Sequence, residues 1–413
     1  MRTLWLILLF AGGCYHPLPP EGAPCQTEEE CPRELSCLGG HCLHRQDIDA
    51  PVITDDVPLD APPDGIPIDG CVTFSGQTNT CLLAPGSPMT LTGIEFIYTT
   101  GTGTLEQLDG NGAVIATTNP AHTVVQGKAG PIDVLLVSSF SLSPGSELSI
   151  VGTLPFGIVA TQTITISGRI DGSGGAGRRS TQACGTSAGS SGTANATGGS
   201  GGSGGAMHSA GGAGGAGANS GAGATTALSS VPLGPLGGCS GGRGGAGTMA
   251  GSGGSGGSGG GAAYLVSAAM ISVPSGGIIE AAGNGASGGG GAAGVGYLAG
   301  GGGGGSGGMI WLEAPQLAIH GIVVANGGGG GEASGSTAAG NAGQRGRQST
   351  LAATGGAGAD AAGGDGGAGS VSTTGATGGA GGTSGGGGGG GAGYIVLQGT
   401  KDLGGSTISP TPN

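Results

Sequence analysis

The chain has 413 residues, 108 of them Gly, and sets 24 acidic against 11 basic side chains for a formal net charge of −13. Only 8% of residues are charged and 3% aromatic, against roughly 25% charged in average globular chains, so an ordinary enzyme core is excluded. Half the acids lie in residues 15–70, twelve beside two bases, whereas residues 161–413 hold seven of each; a nucleic-acid partner would need a basic face, and none is present.

The first predicted element is an export signal. Arg2, the apolar run Leu4–Phe10 and the small residues Ala11, Gly12 and Gly13 precede Cys14, and the run is too short to span a bilayer as a helix. Ala11-Gly12-Gly13-Cys14 resembles the bacterial lipobox. The resemblance implies that residues 1–13 are removed and that Cys14 carries a diacylglyceryl group anchoring a lipoprotein of the bacterial cell envelope. Tyr15, in place of an acid after the cysteine, implies sorting to the outer membrane. The eight remaining cysteines fall into three even-numbered groups, as disulfides in an oxidising compartment do.

Residues 14–45 contain Cys25-x5-Cys31-x5-Cys37-x4-Cys42. So small a segment needs two disulfides to hold it, and three pairings are open. Zinc is the rival, with His41 and His44 adjacent, but the gaps lack the tight Cys-x2-Cys knuckle. The spacing resembles the small Cys-rich knots that follow the lipidated cysteine in secreted bacterial proteins, which implies no activity. Residues 46–70 bring seven acids, five prolines and no base, which predicts an extended, self-repelling stalk; its Asp spacing matches no calcium loop.

Residues 71–177 predict a β-rich domain. Cys71 and Cys81 are close enough to pair, and the runs Leu91–Thr100, Ala113–Thr118 and Val134–Leu142 are Val-, Ile-, Thr- and Leu-rich and broken by Gly or Pro. Residues 178–413 are glycine-rich but contain the apolar islands Ala262–Ala282, Met309–Asn326 and Tyr394–Gln398. Set beside Gly157–Gly172, the first two repeat a rhythm of strand, small residue or Pro, strand, Gly, strand. Such a repeat predicts an irregular parallel β-solenoid with glycine-rich insertions. Alternation places Leu265, Val266, Ile271, Ile310, Leu312, Leu317, Ile319, Ile322, Val324, Ile395 and Leu397 on its inward face.

The glycine tracts have two open fates, a disordered linker or a packed bundle. Gly198–Ala206 and Ala210–Ala216 repeat as Gly-Gly-x, the three-residue turn of a polyproline-II-type helix, whose N–H and C=O groups can be satisfied only by neighbours. The pattern resembles the polyglycine-II bundles of some antifreeze proteins and phage-tail adhesins. In composition it is similar to the repeat regions of mycobacterial PE-PGRS surface proteins, whose PE module is absent here. Cys184 and Cys239, left to pair by elimination, would close a glycine-rich loop worth about 4 kcal/mol by chain-entropy arithmetic, which favours the packed bundle.

Candidate chemistry is sparse. A β-solenoid polysaccharide lyase or hydrolase needs carboxylates with Lys or Arg on a groove. Asp171, Glu280, Glu313, Arg169, Arg178, Arg179 and Arg243 are the candidates, dispersed along the chain, with Glu280 and Glu313 able to stack on neighbouring coils as paired carboxylates. His320 reads as a surface residue, and the GxGxxG matches from Gly253 onward lack the flanking strand and helix. No cofactor or metal is expected. The expectation is a non-enzymatic, membrane-anchored surface lipoprotein with a structural or adhesive role, its uncharged faces meeting extracellular polysaccharide or matrix. A carbohydrate-active β-solenoid enzyme is the alternative, and an ice- or water-surface-binding face a third possibility.

Overall fold

A computed structural model describes residues 35–38, 41–44, 86–175, 177, 181–218, 225–228, 230–247, 251–290, 297–359 and 361–413. The described chain is mainly β and falls into two compact units, Met1–Gly65 and Ile66–Asn413. In the first, β1 (Leu35–Leu38) and β2 (His41–His44) form an antiparallel hairpin whose register sets Cys37 opposite Cys42. The signal segment, Cys14, Cys25, Cys31, the stalk, Cys71 and Cys81 lie outside the described residues.

The second unit opens with β3 (Met89–Leu91), β4 (Glu95–Thr100), β5 (Thr104–Leu108), β6 (Val114–Thr118) and β7 (His122–Gly127). The chain then makes passes of short strands bent at Gly, Ser or Pro. These are β8 (Gly130–Val137), β9 (Phe140–Leu142) and β10 (Glu147–Gly152), then β11 (Phe156–Ala160), β12 (Ile164–Ile166) and β13 (Arg169–Asp171). After a glycine tract come β14 (Ala262–Ser267), β15 (Met270–Val273) and β16 (Ile278–Glu280). Next are the long, bulged β17 (Met309–Ile319) with β18 (Ile322–Val324), and finally β19 (Tyr394–Asp402) with β20 (Thr407–Ser409).

Each pass pairs in parallel register with the one before it. Leu135, Ile158, Leu265, Leu312 and Leu397 thereby stand in one column, and Leu148, Ile170, Ile279, Val323 and Ile408 in another. Both columns join the central apolar cluster. Burying each such side chain contributes roughly 1.5–3 kcal/mol, so the columns bind together segments far apart in sequence. Strands on both sides of residue 177 share the same two sheets, and residues 66–413 cluster as one unit.

Three residues depart from the expected inward face. Ile322 is only partly buried and Val323 points into the core instead, because the turn at His320–Gly321 resets the alternation. Val266 faces outward into a second apolar cluster with Tyr264, Trp311 and Tyr394, and Val324 is buried outside the central cluster. A sheet apolar on both faces carries no phase signal in its sequence.

The glycine tracts are ordered by hydrogen bonds to one another. Along residues 300–308 the N–H groups of Gly300, Gly303 and Ser306 donate to Gly245, Gly242 and Cys239; those of Gly301, Gly304 and Gly307 to Gly385, Gly388 and Gly391; and those of Gly302, Gly305 and Gly308 to Ser287, Asn284 and Ala281. All nine bonds measure 2.7–3.1 Å. The donors thus turn through three directions and return every third residue. Carbonyls of the same segment accept from Gly254 and Gly257, from Gly202 and Gly205, and from Gly328 and Gly331, so it is enclosed by six neighbours, three that accept from it and three that donate to it. Enclosure explains the composition: a Cβ at Gly300 through Gly305 would strike a neighbouring carbonyl at each position. Where a tract reads Gly-Gly-Ser, the third residue fits the lattice. Ser200 and Ser203 are fully buried, and their hydroxyls accept from the N–H groups of Thr193 and Ser190 at 2.7 Å.

Candidate functional site

The principal charge cluster lies on the outer side of the sheet formed by the third strands. Parallel register sets Glu147 beside Arg169, and Asp171 beside Glu280. The Arg169 guanidinium donates to Glu147 Oε2 at 2.9 Å, Asp171 Oδ2 at 2.8 Å and Glu280 Oε1 at 2.5 Å. From above, a polar break in the glycine lattice brings Arg345, which bonds Asp171 Oδ2 at 3.2 Å and pairs with Glu280 Oε1, and Gln348, which donates to Glu280 Oε2 at 2.6 Å. Asn326 holds this segment down by donating to the carbonyls of Arg347 and Ser349. Glu280 is fully buried and Asp171 nearly so.

Sequence spacing disperses these residues, and the fold gathers Arg169, Asp171 and Glu280. Glu313 does not join them: it sits on β17 in the other sheet, opposite Val266 and Gln398, and accepts from the Tyr264 hydroxyl at 3.2 Å. The stacked Glu280–Glu313 pair is therefore corrected to Asp171–Glu280. Arg243 donates to the Gly253 carbonyl within the lattice, and Arg178 and Arg179 lie outside the described residues. Arg345 and Gln348 were missed by sequence reasoning. Their signal was Gln344–Gln348, which places two of the seven bases of residues 161–413 inside a stretch otherwise made of Gly, Ala, Ser and Thr.

Both oxygens of Glu280 are occupied, Oε1 by two guanidinium groups and Oε2 by the Gln348 carboxamide. Asp171 and Glu280 are register partners on adjacent strands, and both accept from Arg169 and pair with Arg345. With these partners in place, the arrangement is a brace. It ties the lattice to the sheet.

Two smaller clusters are likewise internally satisfied. Asp133, fully buried, accepts from the Tyr98 hydroxyl at 3.1 Å and the Gly101 N–H at 2.5 Å, and its Oδ1 lies 3.0 Å from His122 Nδ1. Burial and the adjacent carboxylate push the Tyr98 phenol well above its usual range, so it stays a donor. His320 Nε2 lies 3.1 Å from Asp402 Oδ2 on the surface. Cys184 and Cys239 are joined by a disulfide with Cα atoms 5.9 Å apart. Among the described residues, no group of three or more His, Cys, Asp or Glu is placed to hold a metal ion.

His208 stacks on Tyr394 with ring centroids 4.2 Å apart. Burial lowers its pKa from the ordinary 6.5, so the unfolded chain takes up the proton more readily than the folded one. Stability therefore falls as pH drops below about 6.5 and is recovered above it. His208→Phe, which keeps the stack, is expected to flatten that slope in melting curves taken from about pH 5 to 7.

Comparison with protein-family models, with curated proteins and with solved structures finds no match for this chain.

Proposed function

We propose that the protein is a non-enzymatic lipoprotein of the bacterial envelope, anchored through Cys14, whose body is a short irregular parallel β-solenoid wrapped by a polyglycine-II-like bundle and whose role is structural or adhesive. The stacked registers and the three-directional glycine bonding support the solenoid and bundle. One observation carries the role: the principal charges of the body are spent on one another, leaving lattice faces of uncharged Gly, Ala, Ser and Thr. Residues 190–197 and 373–383 are largely exposed and contain no charged side chain. Rigid, neutral, hydroxyl-bearing faces suit contact with polysaccharide or matrix.

Among the described residues, no helix is long and apolar enough to cross a membrane. Cys14→Ser is expected to move the protein from the membrane fraction to the soluble one, since stable anchoring takes the lipid; retention after a carbonate wash would contradict the anchor. The enzyme alternative draws on the Asp171–Glu280 adjacency. Release of reducing ends from polysaccharide by the purified protein, lost in Glu280→Gln, would replace the non-enzymatic reading.

A further inference from the structure

The hairpin β5–β6 does not continue the parallel stack. It folds antiparallel off β4 and leaves, between itself and β3, an open cavity of about 340 Å³, within the roughly 300–1,000 Å³ usual for small-molecule sites. Phe96 and Leu105, both nearly buried members of the central core, form part of an apolar floor. The Thr90 and Thr92 hydroxyls and the Gln107 carboxamide border the same space, and none of the three has a side-chain hydrogen-bond partner among the described residues. Gly93 makes room for them: a Cβ there would lie 2.5 Å from Gln107 Nε2 and 2.8 Å from Phe96 Cζ. Among the described residues, no charged side chain lines the cavity, although the chain carries −13.

We propose that this cavity binds the end of a neutral saccharide, deepening the adhesive role on which it rests. The uncharged lining selects against ionic ligands, since an ion there would lose hydration without a counter-charge. An apolar floor ringed by unpaired hydroxyl and carboxamide groups matches a sugar ring, whose C–H face is apolar and whose edge is all donors and acceptors. Gln107 would supply both a donor and an acceptor to adjacent hydroxyls. Phe96 and Leu105 would take the C–H face.

The test is saturation-transfer NMR on the full chain with glucose, galactose, N-acetylglucosamine and glucuronate, run beside retention of the protein on a neutral polysaccharide. Transfer to at least one neutral sugar is expected, weakened about tenfold in Gln107→Leu, which keeps the side-chain bulk but removes its hydrogen bonds. Gly93→Ala, which displaces the ring edge and carboxamide, should weaken it also, with melting curves confirming that both variants fold. No transfer to any neutral sugar, a preference for glucuronate, or binding unchanged in both variants overturns the proposal. If the polymer is retained equally by the wild type and Gln107→Leu, the cavity fails while the adhesive role stands; if the wild type does not retain it, the adhesive role fails.

Discussion

Gly303→Ala is expected to cost about 3 kcal/mol or more, an effect far beyond the propensity of one residue. The added methyl would overlap the Ser203 carbonyl, and the Gly303 N–H that bonds Gly242 at 2.8 Å would have to move with it. Three backbones meet there, so no side chain can swing aside to make space. Gly375→Ala is the control: its Cβ would meet nothing closer than 3.6 Å, and its φ lies outside the left-handed region. Alanine there is expected to be neutral or stabilising by up to about 1 kcal/mol, through the unfolded chain. Denaturant midpoints of the two variants against the wild type read the contrast.

Glu280→Ala is expected to be the other severe substitution. It leaves Arg169 and Arg345 with Asp171 alone of the two buried carboxylates they share, and it strands the Gln348 carboxamide. Breaking a buried pair by removing one partner costs about 3–5 kcal/mol. Glu147→Ala removes only one exposed contact to Arg169, with the Glu147 side chain 33% exposed, and should cost less than about 1 kcal/mol. Because the brace joins lattice to sheet, Glu280→Ala should also open residues 341–351 to protease before the rest of the chain. A cleavage pattern unchanged from the wild type would mean that Arg345 and Gln348 do not hold the segment down.

The sequence made some of this legible and hid the rest for physical reasons. Leu265, Leu312 and Leu397 were readable as inward residues because each sits in an alternating or nearly alternating apolar run, and parallel register aligns them in one column. Val266 was not, since both sides of its strand are apolar and periodicity carries no preference between them. Period three in Gly198–Ala206 pointed to lateral hydrogen bonding. What it did not reveal is that the unbroken glycine runs, 300–305 and 385–391, lie where neighbours crowd every side, while Gly-Gly-x tracts lie where one direction is left for a side chain. The brace was hidden because its members come from distant segments: Arg169 lies 111 residues from Glu280, Asp171 174 from Arg345 and Glu280 68 from Gln348. Only the register of β13 with β16 brings the carboxylates together.

Amide hydrogen exchange across residues 298–308, followed on the full-length protein, tests most directly whether the glycine tracts form a hydrogen-bonded lattice. Nine consecutive N–H groups, from Gly300 to Gly308, each donate to a backbone carbonyl of another segment, so all nine should exchange as slowly as the core strands β14 and β17, opening only with the whole unit. Exchange of these glycines at unprotected rates while β14 and β17 stay protected would contradict the lattice and return the tracts to the status of linkers.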